Sequence, residues 1–169
     1  DDVEGLAERA GASEEDVTGT KLFVGDVLEV IMDTYGDKVR IVFKHNPLSF
    51  HKDAPLAAAA AEAAGKQGKF WEMHEKLFSN TEVLTDANFI LWAKELGLDV
   101  KKFKEDLTDP LLARTVANDQ HVANVLGAHG APSFLINGKL LTGLPAFHDL
   151  KTEIEDGIAA AEAELEKGT

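Results

Sequence analysis

The spacing of apolar residues divides the chain into short elements. Residues 2–10 place Val3, Leu6, Ala7 and Ala10 on one helical face before Gly11. Ser13 followed by Glu14, Glu15 and Asp16 reads as a capped helix start, because acids suit the positive end of a helix dipole. A short apolar run at 21–24 (KLFV), closed by Gly25, predicts a strand. Asp26 is the expected cap of a helix carrying Val27, Val30, Ile31 and Tyr35, with Gly36 as its stop. The continuous β-branched run VRIVF at 39–43 predicts a second strand, parallel to the first and reached by a right-handed crossover.

The middle of the chain is helical by the same criterion. Asp53 and Pro55 open an alanine-rich helix through 57–64, whose small side chains suit close packing. Residues 70–78 (FWEMHEKLF) set Phe70, Met73 and Leu77 at helical spacing, with Trp71 and Trp92 expected in the core. Thr85 should cap a helix over 86–96 and Asp99 one over 100–107; Pro110 should open a helix over 111–126.

Two apolar runs, 133–136 and 139–142, are then joined by Asn137-Gly138, the pair that best satisfies the two positive φ angles of a type I′ turn. Pro132 has no N–H to give a ladder and belongs at the entry of the first strand. A last helix over 146–166 places Phe147, Leu150, Ile154, Ile158 and Leu165 on its buried face, and its many acids on a solvated one. The order βαβ, four or five helices, ββα describes one α/β domain with a helical insertion.

Composition narrows what such a domain can do. At 169 residues and 44% apolar content, the chain can bury a core without staples. A net charge of −13 argues against nucleic acid and against anionic lipid as partners. No apolar run approaches the roughly 20 residues of a membrane span, and no signal-peptide pattern opens the chain. Cysteine is absent, which excludes a disulfide framework, a thiolate metal site and a cysteine nucleophile within these residues.

Histidines offer the remaining candidate chemistry. Glu72 and His74 are two residues apart and do not align on a helix, and His45, His51 and Glu75 lack the spacing of a metal site. No metal or other cofactor is predicted, and these side chains read as satisfied polar groups or caps. His121 and His129 bracket the approach to the loop at 130–133, which makes His129 a candidate groove residue.

Four stretches, in order, carry a family resemblance: YGDKVRIVFKH with PLSFH at 35–51, QGKFWEMHEKLF at 67–78, LGLD at 96–99 with Phe103, and GAPSFLING at 130–138. Together they closely resemble DsbA-like thioredoxin-fold proteins, from about residue 35 to the end. The resemblance implies a thioredoxin-like α/β fold, a central mixed β-sheet with a helical domain inserted between its βαβ and ββα halves. Within a single domain spanning 1–169, it assigns 1–20 to an N-terminal helical extension, 21–45 and 130–166 to the thioredoxin-like part, and 53–127 to the insertion. It also implies that Ala131, a cis Pro132 and Ser133, with His129 nearby, face an extended peptide substrate, in an extracytoplasmic, commonly periplasmic, setting.

The family exchanges thiols and disulfides through a Cys-x-x-Cys pair at the start of its first helix, and here that pair is missing. A gapless count puts Thr18-Gly19-Thr20-Lys21 at the motif, whereas taking 21–24 as the first strand makes the motif a deletion. A hydroxyl cannot replace the thiolate in disulfide exchange. The leading expectation is therefore a redox-inert domain that binds peptide or protein or is structural. One alternative is a truncated or edited form of an active protein-disulfide oxidoreductase. Another is a glutathione-dependent, transferase-like protein using the hydroxyl of Thr18 or Thr20. The oligomeric state is left open.

Overall fold

A computed structural model of the protein describes residues 24–168. The helical readings at 2–16, the threonines at 18 and 20, and residues 21–23 of the first predicted strand lie outside the described residues. The fold is thioredoxin-like, and the chain divides into two compact units. One holds the residues up to Val42 together with those from Gly130 on; the other is Phe43–His129.

In the first unit, helix α1 (Val24–Tyr35) begins before Asp26, not after it, so the strand predicted at 21–24 is contradicted at Val24. Gly36, at φ +52°, turns the chain out of α1 into a short 3-10 helix, Gly36–Lys38. A positive φ is a place glycine fills without steric cost. Residues 39–43 do not join a ladder. Val39 is extended, at φ −126° and ψ 135°, and exposure alternates along the run, yet no described strand pairs with it. The pattern of β-branched residues reports a one-sided extended segment, but a strand also needs a neighbour, and Val24 of the expected neighbour is helical.

The hairpin is as the sequence predicts. Strands β1 (Ser133–Ile136) and β2 (Lys139–Thr142) are antiparallel, with Phe134 opposite Leu141 and Ile136 opposite Lys139. Asn137 and Gly138 take φ of +46° and +97°, the two positive angles the turn demands. Among the described residues this pair is the whole sheet, so the parallel half of the expected mixed sheet is not seen there. Helix α2 (Ala54–Gly65) opens the second unit; the last helix, α7 (Phe147–Lys167), belongs to the first.

Val27, Ile31, Leu150 and Ile154 form the first unit's buried cluster, with Val39, Ile41, Phe134, Ile136, Leu141 and Phe147 packed against it. Leu165, expected in the core, is 73% exposed, because α7 outruns the elements that cover its first three turns. Gly157 sits inside α7, where alanine is ordinarily better by about 1 kcal/mol. A Cβ there would lie 3.1 Å from Asn137 Nδ2, which donates to the Gly157 carbonyl. We expect Gly157→Ala to bring no gain in urea unfolding, and the gain of about 1 kcal/mol to emerge only when Asn137 is also glycine.

In the second unit, α2 packs against α3 (Phe70–Ser79), α5 (Val100–Leu107) and α6 (Pro110–Val125), and α4 (Asp86–Glu95) completes the bundle. Ala60, Ala61, Ala63 and Ala64 let the neighbours approach closely, and Met73, Leu77, Phe89, Trp92, Phe103 and Leu112 fill the space between them. The predicted caps are in place: Thr85 accepts from the Asn88 N–H and Asp99 from the Lys102 N–H. Asp109 accepts from the Leu111 N–H ahead of Pro110. Trp71 departs from expectation at 47% exposure, while Trp92 is buried.

Candidate functional site

The loop at 130–133 is built by short-range bonds. Ser133 Oγ donates to the Gly130 carbonyl at 2.7 Å, and the Gly143 N–H donates to the Pro132 carbonyl at 2.9 Å. The first closes the loop on itself and the second ties the mouth of the hairpin together. The Ala131–Pro132 peptide bond is cis. Ala131 is exposed, Pro132 and Ser133 are half-buried, and neither the N–H nor the C=O of Ala131 has a hydrogen-bond partner among the described residues. An exposed, unpaired backbone of this kind can pair with an extended chain.

His129 is exposed and is the last residue of the other unit, its N–H bonded to the Gly127 carbonyl. His121 is likewise exposed on α6. Among the described residues, no group of three or more histidine, cysteine, aspartate or glutamate side chains could hold a metal ion.

The second unit carries a polar and aromatic cluster that spacing alone did not reveal. His45, read from sequence only as a satisfied loop residue, is buried. Its N–H donates to Asp119 Oδ2 at 3.2 Å, and its Nε2 lies 3.0 Å from Glu62 Oε1. Asp119 also takes the Lys44 ammonium at 2.7 Å. Asn46 Nδ2 donates to the Ala128 carbonyl and Gln120 to that of Pro47, which pins the loop after the extended segment onto α6. Asp106 is another buried acid; hydrogen bonding from Lys102, with that of Lys66, holds its carboxyl below the usual range.

His74 stacks on Phe78 at 4.4 Å and meets Phe43 edge-on at 4.7 Å, with Phe70 and Trp71 beside it. Among the described residues its buried Nε2 has no hydrogen-bond partner. Burial, and then the charge of His45, push His74 down to about 4. A histidine held below its unfolded value keeps its full stabilising effect above about pH 6.5 and loses it progressively as pH falls toward 4. Partial exposure screens the effect, so we expect about 1–2 kcal/mol. Urea unfolding at pH 7 and pH 4.5 should show a smaller acid loss in His74→Phe than in the parent chain, by about 1 kcal/mol.

Comparison with known proteins agrees with this architecture. The family model of the DSBA-like thioredoxin domain matches residues 24–155, and the chain belongs to that family. It is similar to a solved thioredoxin-like oxidoreductase from Silicibacter pomeroyi DSS-3, at 26% identity and TM-score 0.68, over 76% of this chain and 73% of that one. It is also 36% identical over 143 residues to Na(+)/H(+) antiporter NhaA 3 of Salinispora tropica, covering 84% of this chain and 22% of that protein. Na(+)/H(+) antiporter NhaA of Herminiimonas arsenicoxydans is 39% identical over 109 residues, 64% of this chain and 17% of its own length. The chain thus spans about a fifth of the curated relatives it matches.

Proposed function

We propose that this chain is a binding member of the DsbA-like family, holding an extended peptide or protein segment at 130–133 without thiol exchange. One observation carries the reading: the loop is closed by its own bonds, with Ala131 exposed and its backbone unpaired among the described residues, in a chain of 169 residues that has no cysteine. Exchange requires a thiolate that attacks one sulfur of a disulfide and a second that resolves the mixed disulfide. Ser133 can hydrogen-bond but not exchange, and its hydroxyl is engaged by Gly130. What the loop offers is main-chain pairing, with side-chain selection left to neighbouring positions. In an insulin-reduction assay driven by dithiothreitol, the chain should leave the rate unchanged. Turnover above the uncatalysed rate would overturn the redox-inert reading, and heat released on calorimetric titration with glutathione would favour the transferase-like alternative.

The antiporter relatives favour a second reading, in which this domain is one part of a longer membrane-transport protein and binds a segment exposed on the extracytoplasmic side. Among the described residues no helix is long and apolar enough to cross a membrane, so any spanning part would lie elsewhere in such a protein. An immunoblot of source cells against this domain separates the cases. A band several times 18.3 kDa supports the longer protein, and a band at that mass contradicts it. The sequence of the native reading frame then shows whether a Cys-x-x-Cys pair accompanies it.

A further inference from the structure

Six asparagines occur in the chain, and five of them precede a residue with a side chain: Pro47, Thr81, Phe89, Asp119 and Val125. Asn137 precedes glycine. That difference is chemical as well as conformational. The main-chain nitrogen after an asparagine can attack the side-chain amide carbon, and a Cβ on the following residue obstructs the approach. Gly138 has no Cβ, and one added there would meet nothing within 4 Å. Its N–H makes no hydrogen bond among the described residues. Both residues are exposed at the tip of the hairpin, so base and water reach them.

One contact opposes the attack. Asn137 Nδ2 donates to the Gly157 carbonyl of α7 at 3.2 Å. Gly157 leaves the room for it, since a Cβ there would come within 3.1 Å of that nitrogen. A carboxamide anchored on α7, on a backbone fixed by the ladder on either side, loses the rotation that attack requires.

We propose that Asn137-Gly138 is a deamidation site, held in check by the contact with Gly157 in the folded chain and released by unfolding. The Gly138 nitrogen bonds to Asn137 Cγ, and the Cγ–Nδ2 bond breaks. Ammonia leaves with the proton that Gly138 gives up, and a succinimide ring remains. Water opens the ring at either carbonyl and leaves aspartate or isoaspartate at 137. Aspartate keeps the turn, because Asp-Gly suits type I′ as Asn-Gly does, but it has no N–H for the Gly157 carbonyl. Isoaspartate routes the main chain through the side-chain carbon, which lengthens the two-residue loop and breaks the pairing of Ile136 with Lys139. The reaction uses neither residues 130–133 nor a partner, so it holds or fails independently of the binding reading.

The test is peptide mapping by mass spectrometry on the whole chain, kept at mildly alkaline pH with and without guanidinium chloride. In denaturant, Asn137 should be the first of the six asparagines to gain the one-dalton mass change. In the denatured Gly138→Ala chain, where folding plays no part, it should react about tenfold more slowly. The folded parent should react at least about tenfold more slowly than the denatured one, because the turn must first open. Gly157→Ala, which is not expected to change overall stability, should speed the folded chain several-fold and leave the denatured rate as it was. Earlier reaction at another asparagine, or indifference to Gly138→Ala, would overturn the site. Equal folded and denatured rates, or a folded rate unmoved by Gly157→Ala, would overturn the control by α7.

Discussion

Phe103→Ala should cost about 4 kcal/mol in equilibrium unfolding, near the middle of the range for aromatic truncation in a core. Phe103 is fully buried, and among its companions are Ala60, Ala61, Ala63 and Ala64 of α2. Alanine has no side-chain freedom with which to follow a retreating neighbour, so the hole stays open and the cavity penalty adds to the lost transfer energy. Phe103→Leu, which keeps an apolar side chain of most of that volume, should cost less, about 1–2 kcal/mol. Chemical denaturation followed by tryptophan fluorescence reads both, since Trp92 belongs to the same cluster.

Leu150→Ala should cost about 2–4 kcal/mol and should have a local signature that Phe103→Ala lacks. Leu150 is one of four buried residues on which Phe134, Ile136 and Leu141 rest, so it is the floor under both strands of the hairpin. Its companions Val27, Ile31 and Ile154 are β-branched and stiff, which limits collapse into the gap. The rim of this cluster is only half-buried, so water can relieve part of the penalty, and the expected loss is smaller than for Phe103. Hydrogen exchange should show the β1 and β2 amides losing protection in Leu150→Ala while those of α2 and α5 keep theirs. Equal loss everywhere would mean that the hairpin does not depend on this floor.

Much of the architecture was legible from the sequence because it rests on local chemistry. Asn137-Gly138 dictates its turn through two positive φ angles, and Thr85 and Asp99 cap helices through bonds to residues three positions on. The readings that failed depended on long-range partners. VRIVF has the composition of a strand, but composition cannot supply the adjacent backbone a ladder needs. Trp71 and Leu165 have apolar spacing, but whether a helix face is covered is decided by elements far away in sequence. The cluster joining His45 to Glu62 and Asp119 spans 17 to 74 residues of sequence, so no spacing rule could have assembled it. At the candidate site, the family's motif marked residues 130–138 clearly. The activity was not legible, because the residues that would define it are absent from the chain.

Binding of an extended chain at the loop 130–133, without any thiol, is open to direct measurement. The direct measurement is an NMR titration of the isotopically labelled chain with a reduced, carboxymethylated unfolded protein, whose blocked thiols remove disulfide chemistry from the experiment. Saturable shifts centred on the amides of Gly130, Ala131 and Ser133 are the predicted result. Those shifts should be weakened by Ala131→Pro, which removes the exposed Ala131 N–H. Absence of shifts at these three amides, with the hairpin still folded, would contradict it.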